Sequence, residues 1–107
     1  FGRVIYLAEA CLQPACITVN TTAIAHLSAA VWQAPAEQRS WFTETTITEV
    51  AIAHELYHIL AQQPSSPMVE VAAHQFAQAL TGLPFSPHVY EAVLRRTAGC
   101  RTTKNIT

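Results

Sequence analysis

The chain has 107 residues and half of them are hydrophobic, which is enough for one compact core and too little for two domains. Six lysines and arginines stand against seven acidic residues, so the net charge is only -1. Such a weak overall field gives no reason to expect nucleic acid or an anionic membrane as a partner. We therefore expect residues 1–107 to form a single domain.

The sequence shows no signal that would direct the chain to a membrane. No apolar run reaches the roughly 18 residues that a membrane helix needs, and the N-terminus lacks the pattern of a signal peptide. These features favour the cytoplasm. The chain begins at Phe1 and not at a methionine, which is typical of a processed or trimmed piece of a longer protein.

The first part of the chain predicts two short strands and a helix. Residues 4–8 and 17–20 are apolar and rich in β-branched or aromatic side chains, and Gln13-Pro14 favours a turn between them. Cys11 and Cys16 then flank the turn, where they are either joined by a disulfide or both reduced. Thr21 or Thr22 is expected to cap a helix that stops before Pro35.

Three further helices follow. Thr46 and Glu49 have the spacing of a capping box, and the apolar periodicity after them continues to Pro64. Ser66-Pro67 and Gly82 are typical start and stop signals of the next helix. Ser86-Pro87 and Gly99 repeat these signals for the last one. Strands followed by about four helices predict an α+β fold with a small sheet.

The second helix contains the sequence His54-Glu55-Leu56-Tyr57-His58, an H-E-x-x-H motif. Residues i and i+4 share one face of a helix, so the two imidazoles can bind a single zinc ion. The carboxylate of Glu55 then lies beside the open position of the metal, where a water would bind. Zinc lowers the pKa of such a water to about 7, so Glu55 can act as the general base.

A catalytic zinc needs a third protein ligand. Glu70 is the best candidate, because it lies in the first turn of the next helix, which can fold back beside the motif. The helix dipole alone would also favour an acidic residue there. His74, one turn further along the same face, is the alternative ligand.

The motif and the residues after it resemble the ImmA/IrrE-type family of zinc peptidases and are similar to the minigluzincins. The resemblance covers residues 46–84, with an echo of the family's edge strand at residues 17–20. It rests on H-E-x-x-H followed by Glu70-x-x-Ala73-x-x-Phe76-Ala77-x-x-Leu80 and Pro84. It implies a zincin-like fold, one zinc per chain held by His54, His58 and Glu70, and Glu55 as the base.

The chain departs from this pattern at two positions. Tyr57 replaces a glycine between the histidines, and His74 replaces the asparagine or aspartate that can orient a metal-bound imidazole through a hydrogen bond. Tyr90 and His88, at the start of the last helix, are candidates for stabilising an oxyanion, although ordinary packing also explains them.

Two hypotheses follow from these residues. The first is a zinc-dependent metallopeptidase that hydrolyses peptide bonds, with a protein or peptide as the substrate, as the resemblance implies. The second is a zinc-binding regulatory or interaction domain with little or no catalytic activity, because His74 and Tyr57 depart from the pattern.

Overall fold

The computed structural model describes the backbone of residues 7–62 and 66–106 and the side chains of residues 7–62 and 66–97. Within these ranges a two-stranded sheet precedes four α-helices, in agreement with the predicted α+β class. Two short 3₁₀ segments, Val31–Gln33 and Ala36–Trp41, join the first two helices. The elements are β1 (Ala8–Leu12), β2 (Ala15–Val19), α1 (Thr21–Ala29), α2 (Glu44–Ala61), α3 (Pro67–Thr81) and α4 (His88–Ile106).

The strands form an antiparallel hairpin in which Ala8 pairs with Val19 and Cys11 pairs with Cys16. The first strand was predicted at residues 4–8; it coincides with β1 at Ala8, and Leu7 lies in a bend before the strand. Residues 4–6 lie outside the described residues. The turn is only two residues long, so strand pairing extends to Leu12, beside the turn. Both thiols are free and exposed, and the hydrogen bond with the Cys16 thiol raises the pKa of Cys11.

Two of the predicted helix starts were wrong by a few residues. The side chain of Asn20, and not that of Thr21 or Thr22, accepts a hydrogen bond from the backbone N–H of Ala23 and caps α1. Thr43 caps α2 in the same way, with its Oγ1 3.2 Å from the backbone nitrogen of Thr46. Asparagine and threonine are both strong caps, so neighbouring candidates of similar propensity compete.

The ends of α3 follow the prediction, whereas the end of α4 does not. Ser66 caps α3 by accepting from the backbone N–H of Val69, and Gly82 ends it with φ at 76°. The predicted stop of the last helix at Gly99 was wrong, because α4 continues to Ile106. A glycine inside a helix costs only about 1 kcal/mol, and no proline follows it to end the helix.

The α2 helix is the central element of the fold, since the two strands, α1 and α3 all contact it. Small buried residues, Ala53 on α2 and Ala73 and Ala77 on α3, allow these two helices to approach closely. The largest fully buried side chains belong to one core cluster that includes Val50 and Ala53 of α2; they are Ile24, Leu27, Phe42, Ile47, Tyr90 and Val93. None of the helices in the described ranges combines the length and the apolar character that crossing a membrane requires.

Candidate metal centre

The two histidines of the motif lie one turn apart on α2, on the side that faces α3. Their side chains are largely buried, with 15% of His54 and 16% of His58 exposed. The rings meet edge to face, with centroids 5.1 Å apart. Both imidazoles are thus held on one helix face with little freedom to turn away from each other.

Glu70 lies between these two imidazoles. Its Oε1 is 3.1 Å from Nε2 of His54, and its Oε2 is 3.0 Å from Nε2 of His58. The position follows from local sequence: Ser66 and Pro67 start α3 just ahead of it, and Ala73 lies on the buried face of the same helix. Two nitrogens and a carboxylate therefore converge from adjacent helices.

Glu55 contacts the other nitrogen of His54. Its Oε2 accepts a hydrogen bond from Nδ1 of His54 at 2.8 Å, and only 13% of the Glu55 side chain is exposed. This bond leaves Nε2 of His54 directed at Glu70. In metal sites a carboxylate on the far nitrogen of a histidine fixes its tautomer and raises its basicity.

The two carboxylates also change the proton affinity of His54. Burial disfavours the charged imidazolium, but the hydrogen bond and charge of Glu55 and the charge of Glu70 outweigh it and raise the pKa of His54. The pocket therefore stabilises the protonated form of His54.

The residues fit a divalent metal by both chemistry and spacing. One donor atom each from His54, Glu55 and His58 lies within 4.8 Å of the others. Two ligands of a tetrahedral ion at about 2.1 Å are roughly 3.4 Å apart. The 3.0 and 3.1 Å contacts of Glu70 with the two imidazoles are close to that spacing, so a small adjustment would admit an ion. Imidazole and carboxylate are ligands that suit zinc.

His74, the alternative third ligand, lies beside His54 but faces another carboxylate. The two rings are tilted by 31° with centroids 4.8 Å apart. Nε2 of His74 is 3.4 Å from Oε2 of Glu91, and its Nδ1 is buried without a hydrogen-bond partner among the described residues. The sequence analysis expected the residue at position 74 to orient a metal-bound imidazole or to bind metal; the contact with Nδ1 of His54 at 2.8 Å is made by Glu55.

Glu91 is the residue of this region that the sequence analysis missed. Donor atoms of His54, His74 and Glu91 form a second group within 4.8 Å. The hydrogen bond from His74 lowers the pKa of Glu91 against the opposing effect of burial, with further help from the charges of His74, His88 and His54. A sequence signal for Glu91 was present, because His88 and Glu91 are three residues apart and therefore share one face of α4.

The remaining predicted site residues divide between surface and core. His88 is largely exposed, with its Nδ1 3.7 Å from Oε1 of Glu91. Tyr90 is 1% exposed, its hydroxyl donates to the backbone carbonyl of Trp41, and burial raises its pKa. This packing favours a structural role for Tyr90. Tyr57 contacts the rings of Phe76 and His58 and so links α2 with α3.

Comparisons of the chain with protein families, with curated proteins and with solved structures find no match.

Proposed function

We propose that this protein is a zinc-dependent metallopeptidase with a zincin-like fold, of the kind that the ImmA/IrrE resemblance implies. The observation that carries the proposal is the placement of both oxygens of Glu70 against Nε2 of His54 and Nε2 of His58. This is the arrangement that two histidines and a glutamate need in order to leave one position of a tetrahedral ion open.

In this proposal His54, His58 and Glu70 hold zinc. When bound, zinc supplies a Lewis acid that lowers the pKa of water to about 7 and polarises a carbonyl group. Glu55 keeps His54 oriented through Oε2. In the proposed mechanism its carboxylate would also take a proton from water. It later returns the proton to the leaving amine of the cleaved peptide bond.

The exposed side of the centre is where a substrate would approach it. Glu70 is 37% exposed, whereas the side chains of His54, Glu55 and His58 are each exposed by 16% or less. The proton acceptor therefore lies deeper than one of the ligands, in surroundings that shield it from bulk water. The substrate class is a protein or peptide, as the resemblance implies.

The test compares zinc-loaded wild type with Glu55→Gln on a mixture of unstructured peptides, with new termini counted by mass spectrometry. We expect the variant to retain zinc and to lose cleavage by about 10²–10⁴-fold, because glutamine cannot accept the proton. Glu49→Gln is the matched control, since Glu49 lies on the same helix and is exposed. Equal cleavage by wild type and Glu55→Gln would contradict the mechanism.

One observation favours the alternative, a zinc-binding regulatory or interaction domain. Glu55 is engaged with Nδ1 of His54, a position from which a carboxylate strengthens a metal ligand. In that case no variant or wild-type protein cleaves any peptide, and Glu55→Gln weakens zinc binding by about 10–100-fold. The same pair of measurements therefore separates the two functions.

A further inference from the structure

A second carboxylate in this protein also lies between two imidazoles. Glu91 is in the first turn of α4, and His88 precedes it on the same helix. Its Oε1 is 3.7 Å from Nδ1 of His88, and its Oε2 is 3.4 Å from Nε2 of His74 on α3. The rings of His74 and His88 meet nearly at right angles, with centroids 5.6 Å apart. Two nitrogens and a carboxylate thus converge again, from α3 and α4.

Both contacts are longer than a short charge-assisted hydrogen bond. A charged N–H donor and a carboxylate normally approach to about 2.7–2.9 Å. The 3.4 Å between His74 and Glu91 instead equals the spacing of about 3.4 Å between two ligands of a tetrahedral ion. His88 is 64% exposed, so its ring has room to rotate toward the same point.

The surroundings of His74 give a second, independent indication. Its side chain is 13% exposed, and its Nδ1 is buried without a hydrogen-bond partner among the described residues. A buried polar atom without a partner costs about 1–3 kcal/mol. A purely structural position between α3 and α4 would be filled at lower cost by an apolar side chain.

We propose that His74, His88 and Glu91 form a second divalent-cation site, separate from the three ligands of the first. The donor set of two imidazoles and a carboxylate suits zinc, cobalt or nickel and does not suit calcium or magnesium, which prefer oxygen ligands. The site is weaker than the first, because His88 is exposed and the guanidinium of Arg95 lies 4.0 Å from Oε1 of Glu91. Arg95 is itself 71% exposed and can turn into solvent.

The two sites are close enough to influence each other. A donor atom of His54 lies within 4.8 Å of donors of both His74 and Glu91. A cation at the second site therefore adds positive charge beside a ligand of the first. Because like charges repel at this range, we expect the second ion to bind with lower affinity when the first is present.

The experiment is a titration of metal-free protein with Co²⁺, followed by calorimetry and by visible absorption, with elemental analysis of the loaded protein. Wild type is expected to bind two ions in two steps. Glu91→Gln should bind only the tighter ion, and His88→Ala should weaken the second step by about 10–100-fold. Glu37→Gln, which changes an exposed glutamate in the second 3₁₀ segment, should behave as wild type.

Glu70→Ala separates this proposal from the proposed function. It should lose the tighter step and retain the weaker one, so the second site can be present even if the peptidase mechanism fails. A single step in wild type, or two unchanged steps in His88→Ala, would overturn the proposal. His88 is exposed, so its replacement leaves the core intact and keeps the test valid if Glu91→Gln folds poorly.

Discussion

Glu70 and Glu91 each lie between two imidazoles, yet their surroundings differ. The side chains of the two carboxylates are similarly exposed, at 37% and 39%. Around Glu70 both imidazoles are at least 84% buried and 3.0–3.1 Å from its oxygens, whereas His88 beside Glu91 is 64% exposed and 3.7 Å away. The difference arises because α2 carries both of the buried imidazoles. Both clusters offer two imidazoles and one carboxylate, so the donors do not distinguish them. We therefore expect the cluster whose side chains are held more rigidly, the one around Glu70, to bind a metal more tightly.

The largest expected effect comes from removing the carboxylate of the tighter cluster. Glu70→Ala should lower zinc affinity by at least about 100-fold, because it removes one of three ligands. His74→Ala should leave the tight zinc in place. Both are measured by competition with a chelator of known affinity, alongside elemental analysis of the purified protein.

The opposite result would reassign the third ligand. If Glu70→Ala keeps tight zinc and His74→Ala loses it, His74 would be the third ligand, and the 4.8 Å approach of its ring to that of His54 would be the relevant contact. If zinc is absent from wild type as well, the H-E-x-x-H spacing would have no metal-binding role.

A second prediction concerns the packing that brings Glu70 to the histidines. Ala73 is fully buried, one turn after Glu70 on α3. Ala73→Leu should force α3 away from α2, with a loss of about 1–3 kcal/mol in the free energy of unfolding. It should also weaken zinc binding, because the contact between Glu70 and His58 crosses this interface. Urea unfolding of the metal-free protein and a zinc titration measure the two effects.

Val71→Leu is the control for this change, since Val71 is on the same helix and is 55% exposed. It should alter neither quantity. An Ala73→Leu protein that is less stable but binds zinc as wild type does would show that Glu70 keeps its place without close packing of α2 and α3.

The Glu70 cluster could be predicted from the sequence and the Glu91 cluster could not, and the reason is physical. His54 and His58 share one helix face by their spacing alone, and α3 begins only a few residues after α2 ends, so it can lie beside them. The contact between His74 and Glu91 depends instead on how α3 and α4 pack, which no local pattern encodes. The same holds for Tyr90, whose burial against Phe42 follows from tertiary packing.

Local errors in the predicted fold have a similar origin. The cap of α2 was expected at Thr46 and is at Thr43, because three threonines in this stretch have nearly equal propensity. Gly99 was expected to end α4, but an isolated glycine costs too little to stop a helix. The start and the end of α3 were correct because proline and a left-handed glycine are stronger signals.

The smallest expected effect is the pH dependence that Glu91 contributes to stability. Its pKa is lowered from 4.5 in the folded protein, chiefly by the hydrogen bond from His74. A lowered pKa stabilises the fold above the unfolded value of about 4.5, and this contribution is lost as the pH falls through the folded value. In metal-free protein, the difference in melting temperature between wild type and Glu91→Gln should therefore be present at about pH 5 and shrink in more acidic solution. Solvent screening keeps the difference small, because 39% of the Glu91 side chain is exposed. A difference that persists unchanged at about pH 3 would mean that Glu91 acts through its shape and not through its charge.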